Sequence, residues 1–293
     1  MIKWRGIDWS VHPLFIILML GAVVSGFFAE MITLFVLVLI HELGHVVAAR
    51  YFGWTVKEVK LLPFGGVAEV EEAHGTTARE EMIIAAAGPL QNVWMGLIAY
   101  GLGEFSLVDE AWAHYLLQAN LLIGLFNMLP IYPLDGGKIV QALFSYMVNY
   151  YSVMIWTMRT SLAGSVVIII ISLLPLLQPT KSIQLNLLII GCFLFASNWS
   201  YHRNMPYLFF RFLMQRERLL HRQAEFGQAA RPLLVHHEQS VMSVVKLFRR
   251  HQFHFIYLMD RRKKTMKMIP EQLLLEHCLS GGNPARAVAE LFG

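Results

Sequence analysis

Six stretches of this chain are apolar for 17 residues or more: 11–28, 31–49, 82–103, 111–131, 160–177 and, more weakly, 183–199. A helix rising about 1.5 Å per residue crosses a hydrocarbon layer of about 30 Å with some 20 apolar residues, so the pattern predicts six membrane helices. Only Ala29 and Glu30 part the first run from the second, and it lacks a small-residue cleavage pattern, so it reads as a span rather than a removable leader. Between the second and third runs the period changes. Residues 55–72 set β-branched positions on either side of Pro63 and Gly65-Gly66, which predicts a β-hairpin beside the membrane, with a plain connecting loop as the alternative. Residues 206–221 mix aromatics with arginines, as an interfacial or linker helix does. From about Val235 the pattern is that of a small α/β module: a helix at 240–250, a strand at 254–259, a charged turn at 260–264, a strand at 265–269 and a helix at 271–278. The expected organisation is a membrane domain (1–199), a linker (200–234) and a cytoplasmic module (235–293).

Composition supports the membrane assignment. With 56% hydrophobic residues, 15% charged residues and a mean hydropathy of +0.50, the chain lacks the polar surface of an ordinary soluble enzyme. Its two cysteines, Cys192 and Cys278, are too far apart for a disulfide framework or a CxxC metal site. Charge is uneven: residues 1–199 hold nine Lys/Arg against thirteen Asp/Glu, and residues 200–293 hold fifteen against seven. Lys3 and Arg5, Arg50 with Lys57 and Lys60, Lys138 and Arg159, and the arginines after span six all fall on one side if the spans alternate. Basic residues collect on the cytoplasmic side, so both termini are expected there. The basic tail lacks an aromatic-interleaved nucleic-acid motif, so no direct nucleic-acid partner is expected.

Candidate chemistry lies inside the second span, which carries His41-Glu42-Leu43-Gly44-His45. Residues i and i+4 share a helix face, so His41 and His45 can offer two imidazole nitrogens to one divalent ion, with Glu42 placed to work on a water. Burying three ionisable side chains in an apolar span is costly unless they are paired or metal-bound, which marks the cluster as functional rather than as histidines merely hydrogen-bonded within a bundle. Arg50 lies nine residues on from His41, about 13 Å of helix, which puts the cluster in the cytoplasmic half of the bilayer.

A catalytic zinc usually has three protein ligands. Glu69, Glu71, Glu72, Glu80 and Glu81 are candidates on a polar stretch. Asp135 is better placed, at the end of Asn127-Met128-Leu129-Pro130-Ile131-Tyr132-Pro133-Leu134-Asp135-Gly136-Gly137. Pro130 and Pro133 cannot both continue a regular helix, so the backbone is expected to unwind there and let Asp135 turn back toward span two. Asp-Gly is also a common turn dipeptide, which is the simpler account of Asp135 taken alone. In span three, Ala86-Ala87-Gly88-Pro89-Leu90-Gln91-Asn92 supplies small residues for close helix packing. Asn92 and Asn127 are each able to contact a metal ligand, the attacked carbonyl or a neighbouring backbone.

HELGH, AAGPLQN and NMLPIYPLDGG, in this order and on these spans, resemble the site-2 protease family of intramembrane zinc metalloproteases over a core of residues 31–140. The resemblance implies one zinc per chain held by His41, His45 and Asp135, with Glu42 as catalytic base. It also implies that Asn127 and the turn around Pro133 shape the site, and that the hairpin with Gly65 and Gly66 offers an edge to an extended substrate. The short N-terminus and the tail are similar to the subgroup with a C-terminal CBS domain, including members that act in sporulation. That implies a membrane-tethered substrate such as pro-sigma factor K, inhibitory membrane-protein partners, a location in the mother-cell membrane around the forespore, and pairing of CBS modules into a homo-oligomer. Ile269-Pro270-Glu271-Gln272-Leu273 departs from the nucleotide-binding CBS pattern, which weighs against ATP there. Two other classes compete: a membrane metal carrier, which should tolerate loss of Glu42, and a regulatory scaffold whose basic tail binds anionic lipid.

Overall fold

The computed structural model describes the backbone at residues 2–4, 7–11, 13–62, 65–71, 77–177, 183–224, 230–250, 252–259 and 266–292. In chain order the elements are β1 (Ile2–Trp4), β2 (Ile7–Val11), α1 (Pro13–Ser25), α2 (Phe28–Tyr51), β3 (Thr55–Leu62), β4 (Gly65–Glu71), α3 (Ala78–Glu104), α4 (Glu110–Asn127), α5 (Asp135–Met147), α6 (Tyr150–Leu173), α7 (Leu185–Ala224), β5 (Ala230–His236), α8 (Val241–Val245), β6 (Phe253–Met259), β7 (Met266–Pro270), α9 (Glu271–Leu279) and α10 (Val288–Phe292). They fall into two compact units: 1–73, 79–140 and 160–198 in the first, and 74–78, 141–159 and 199–293 in the second.

Among the described residues, α2, α3 and α6 with its 3-10 extension to Leu177 are long and apolar enough to cross a membrane. The other three expected spans are also helical, as α1, α4 and the first part of α7, but among the described residues they do not meet the same measure of length and hydropathy. α2 ends at a glycine for a definite reason. Gly53 adopts φ +78°, its N–H donates to Arg50 O, and Trp54 N–H donates to Ala49 O, which satisfies the last carbonyls and turns the chain into β3. α4 begins where Asp109 accepts a hydrogen bond from Ala111 N–H at 3.2 Å. Val46 and Ala49 of α2 pack with Val56, Trp54 and Ile84, anchoring the strand to the helix pair α2 and α3.

The hairpin expected at 55–72 is present, with β3 and β4 antiparallel from Thr55↔Glu71 to Leu62↔Gly65; Pro63 and Phe64 lie outside the described residues. Its context went unforeseen. β1 and β2 form a second hairpin, and β2 runs parallel to β3, which gives the order β1-β2-β3-β4 with β4 at an edge. The unwinding expected after span four is also present, since no helix covers residues 128–134. The Tyr132–Pro133 peptide is cis. α6 and α7 hold this turn: Tyr132 N–H donates to Ser161 Oγ at 2.8 Å, and Asn198 Nδ2 donates to Tyr132 O. The turn therefore leads into a helix, α5, with Asp135 as its first residue.

The predicted linker helix and the sixth span prove to be one 40-residue helix, α7, which continues through Pro206. The C-terminal module adds β5, which the sequence reading missed, giving a sheet of order β5-β6-β7 with β5 and β6 parallel. The first helix of the module is shorter than expected, Val241–Val245 against 240–250, and the charged turn 260–264 lies outside the described residues. Arg216 of α7 is buried against the module. Its Nε donates to Glu271 Oε1 at 2.8 Å, one Nη donates to Glu271 Oε2 at 2.9 Å and to the Gln252 carbonyl, and the other Nη donates to the Arg249 carbonyl. Glu271 is fully buried, so the carboxylate beside the departed nucleotide pattern is consumed by this pair.

His254 completes the group. Its Nε2 lies 3.4 Å from Arg249 N, and its Nδ1 lies 2.9 Å from both Glu271 Oε2 and an Arg216 Nη. Burial pushes the His254 imidazole below its ordinary range, and the Arg216 charge adds to this against the opposing pull of Glu271, so it is neutral at pH 7. Burial pushes the Glu271 carboxyl up, but its hydrogen bonds with His254 and Arg216 and the Arg216 charge outweigh that and hold it below the ordinary carboxylate range.

Candidate metal centre and active site

His41 and His45 lie one turn apart on α2, and the start of α5 brings Asp135 to them. Three atoms form a nearly equilateral triangle: His41 Nε2 to Asp135 Oδ2 is 3.1 Å, His45 Nε2 to Asp135 Oδ2 is 3.1 Å, and the two Nε2 atoms are 3.1 Å apart. All three residues are buried, at 2%, 8% and 3% exposure, so water does not compensate this concentration of acceptors.

The tautomers follow from the outer nitrogens. His45 Nδ1 lies 2.7 Å from Ile84 O, and a carbonyl can only accept, so Nδ1 carries the proton and Nε2 presents a lone pair. His41 Nδ1 lies 2.9 Å from the Asn92 amide nitrogen, while Asn92 Oδ1 is buried with no partner among the described residues. Turning that amide by half a turn leaves its shape unchanged and gives Nδ1–H···Oδ1, with His41 Nε2 also bare. Two lone pairs and a carboxylate oxygen then face one another at 3.1 Å, an arrangement that repels unless a cation lies among them. The 3.1 Å spacing lets all three atoms bind one ion at the usual length of about 2.0–2.1 Å. The donor set, two imidazoles and one carboxylate with a position left open, suits a catalytic zinc.

Gly88 opens the space. A Cβ there would lie 2.5 Å from His45 Cε1 and 2.7 Å from His41 Nε2, so the AAGPLQN segment lets the backbone of α3 pass directly over the imidazoles. Gly88 is expected from the sequence to serve helix packing, and its proximity to the nitrogens also makes it part of the cradle. Gly44 serves the packing role, since a Cβ there would meet Ala87 O at 2.8 Å. Gly136 and Gly137 bring the start of α5 onto the unwound turn, where a Cβ would lie 2.6 Å from Leu129 O and 2.5 Å from Tyr132 N respectively.

Glu42 is buried at 8% exposure, and its charge is coupled to His45, His41, Lys138 and Asp135. Asn127 does not reach the imidazoles: its Nδ2 donates to Ile123 O at 3.0 Å, one turn back in α4. Pro133 lies in the turn that delivers Asp135, and Gly65 and Gly66 begin β4. Glu80 is 3.4 Å from Trp54 Nε1, away from the triangle, and the side chains of Glu69, Glu71 and Glu72 lie outside the described residues. Sequence reasoning missed Lys138, whose Nζ donates to Asp135 Oδ1 at 3.2 Å; the i,i+3 spacing on a helix starting at Asp135 was the available signal.

Comparison with known proteins agrees with this geometry. Residues 29–113 and 104–174 match the model of peptidase family M50. Stage IV sporulation protein FB of Bacillus subtilis is 34% identical over 277 residues, 93% of this chain and 92% of that protein. A zinc metalloprotease of Methanocaldococcus jannaschii is 33% identical over 158 residues, 50% of this chain and 46% of its own length. The solved structure of the site-2 protease from the same archaeon superposes with a TM-score of 0.56 at 26% identity, covering 69% of this chain and 93% of that one. With its buried His-His-Asp triangle on apolar helices, this chain belongs to peptidase family M50, the site-2 proteases, and is an integral membrane zinc metalloprotease.

Proposed function

We propose that the protein cleaves a membrane-tethered precursor near the cytoplasmic face, and that the precursor is pro-sigma factor K during endospore formation. The observation that carries the catalytic part is the 3.1 Å triangle of Nε2, Nε2 and Oδ2, with Glu42 buried beside it. The substrate follows from the similarity to a stage IV sporulation protein along nearly the whole of both chains. In this reading six spans put both termini in the cytoplasm, in the mother-cell membrane around the forespore, with inhibitory membrane proteins as partners and CBS-like modules pairing between copies.

His41, His45 and Asp135 would hold the zinc, with Asn92 and Ile84 O fixing the imidazole tautomers. When bound, the metal supplies Lewis acidity that activates water and polarises the scissile carbonyl. Glu42 takes a proton from the attacking water as the new C–O bond forms, then returns it to the amide nitrogen as the C–N bond breaks. One carboxylate thus serves as base and then acid. β4 presents an open edge, so a substrate adding as a further strand arrives extended, its carbonyl free of helical hydrogen bonds.

Co-expression with pro-sigma factor K tests the proposal through a size shift. The wild type yields the shortened product and Glu42→Gln does not; a product from both, or from neither, contradicts it. Prolines along Val67–Val70 test the edge, and unchanged cleavage would remove it from the account.

A further inference from the structure

The ammonium of Lys138 offers the inference that the structure carries furthest. Asp135 uses its two oxygens for different tasks: Oδ2 faces both imidazoles at 3.1 Å, and Oδ1 accepts a hydrogen bond from Lys138 Nζ at 3.2 Å. The carboxylate is buried, whereas the lysine side chain is 46% exposed on the surface of the protein. The i,i+3 spacing at the head of α5 sets the pairing, and Gly136 and Gly137 fix where that head lies.

A carboxylate on a metal binds through one oxygen or two. Bound through two, Asp135 would add a second oxygen beside the position that a catalytic site leaves for water, crowding that position and raising the coordination number from four to five. We propose that Lys138 is a positioning residue: by holding Oδ1 it keeps Asp135 bound through Oδ2 alone, reserves the open position for water and keeps net positive charge beside the attacked carbonyl. This rests on the metalloprotease reading above and adds a determinant that the three motifs do not contain. A purely structural lysine would lower stability and metal affinity when removed. A lysine that enforces one-oxygen binding would instead leave affinity unchanged or raise it, because the second oxygen is freed for the metal, while turnover falls.

The test uses the full chain in detergent, loaded with Co2+ in place of zinc, for wild type, Lys138→Met and Lys138→Arg. Visible d–d absorption reads coordination number, and chelator competition reads affinity. Lys138→Met is expected to weaken the intense four-coordinate bands toward a five-coordinate spectrum, to hold or tighten Co2+ binding, and to lower kcat by about tenfold or more with KM little changed. Lys138→Arg is expected to restore spectrum and kcat together. An unchanged Lys138→Met spectrum, whatever the rate does, or a loss of Co2+ affinity, overturns the proposal. Failure of the wild type itself to bind Co2+ would count against the metalloprotease reading instead.

Discussion

Gly88→Ala isolates the space for the metal from the fold that surrounds it. The added methyl would lie 2.5 Å from His45 Cε1 and 2.7 Å from His41 Nε2, and closer still to His45 Nε2. Ordinary carbon contacts begin near 3.5 Å, so the overlap with His41 Nε2 alone is about 0.8 Å. The imidazoles cannot simply yield, because their Nδ1 atoms are held by Ile84 O and Asn92. Relief must come from parting the nitrogens or shifting α3, and either spoils the triangle. Even one ligand displaced should reduce zinc affinity at least a hundredfold, about 2.8 kcal/mol. Gly88 lies within α3 but precedes Pro89, whose ring crowds a preceding Cβ, so the usual helical advantage of alanine over glycine, about 1 kcal/mol, is offset there rather than added. The expected phenotype is a folded, membrane-inserted protein that has lost both zinc and cleavage, read by elemental analysis of purified protein, helical circular dichroism and a precursor-cleavage assay. Gly88→Ala protein with a full equivalent of zinc and wild-type turnover would refute the geometry.

Glu42→Gln should retain a full equivalent of zinc while hydrolysis falls by about 10²–10⁴-fold or more, which elemental analysis and cleavage rates check on one preparation. Asn92→Ala leaves His41 Nδ1–H without its acceptor, and zinc affinity measured by chelator competition should fall about 10–100-fold. In the C-terminal module, Arg216→Ala strands the buried Glu271 carboxylate, a loss of about 3–5 kcal/mol that thermal melting should register. Acid should weaken the same cluster. His254 has a depressed value when folded, so its contribution is present above the unfolded value near 6.5 and declines below it. Glu271, also depressed, adds a loss that begins below about 4.5. The melting temperature of the module should therefore fall on acidification from pH 7, and Arg216→Ala should change the shape of that dependence.

The sequence exposes the features that a local pattern encodes. The i,i+4 histidines, the hairpin around Gly65-Gly66 and the break between Pro130 and Pro133 each come from residues close in the chain, and each is found where the pattern put it. Features built from distant partners were hidden. β1 and β2 are short, and the pairing of β1, β2 and β5 alike is completed by neighbours elsewhere in the chain. Asn92 was recognisable as a buried amide needing a partner, but only the approach of α3 to α2 makes that partner His41. Asn127 carried the same signal and turned back on its own helix instead. Lys138 was counted as a marker of membrane sidedness. Its contact with Asp135 depends on α5 starting at residue 135, and two following glycines gave little reason to expect a helix there.

Zinc K-edge X-ray absorption on purified, cleavage-competent protein tests the central assignment most directly, comparing the wild type with Asp135→Ala. One zinc per chain with a shell of two imidazole nitrogens plus oxygens at about 2.0–2.1 Å is predicted for the wild type, and loss of the zinc, or of the carboxylate oxygen from its shell, for the variant. A wild-type spectrum without imidazole scattering, or an Asp135→Ala protein with the same zinc shell and undiminished turnover, would contradict the account.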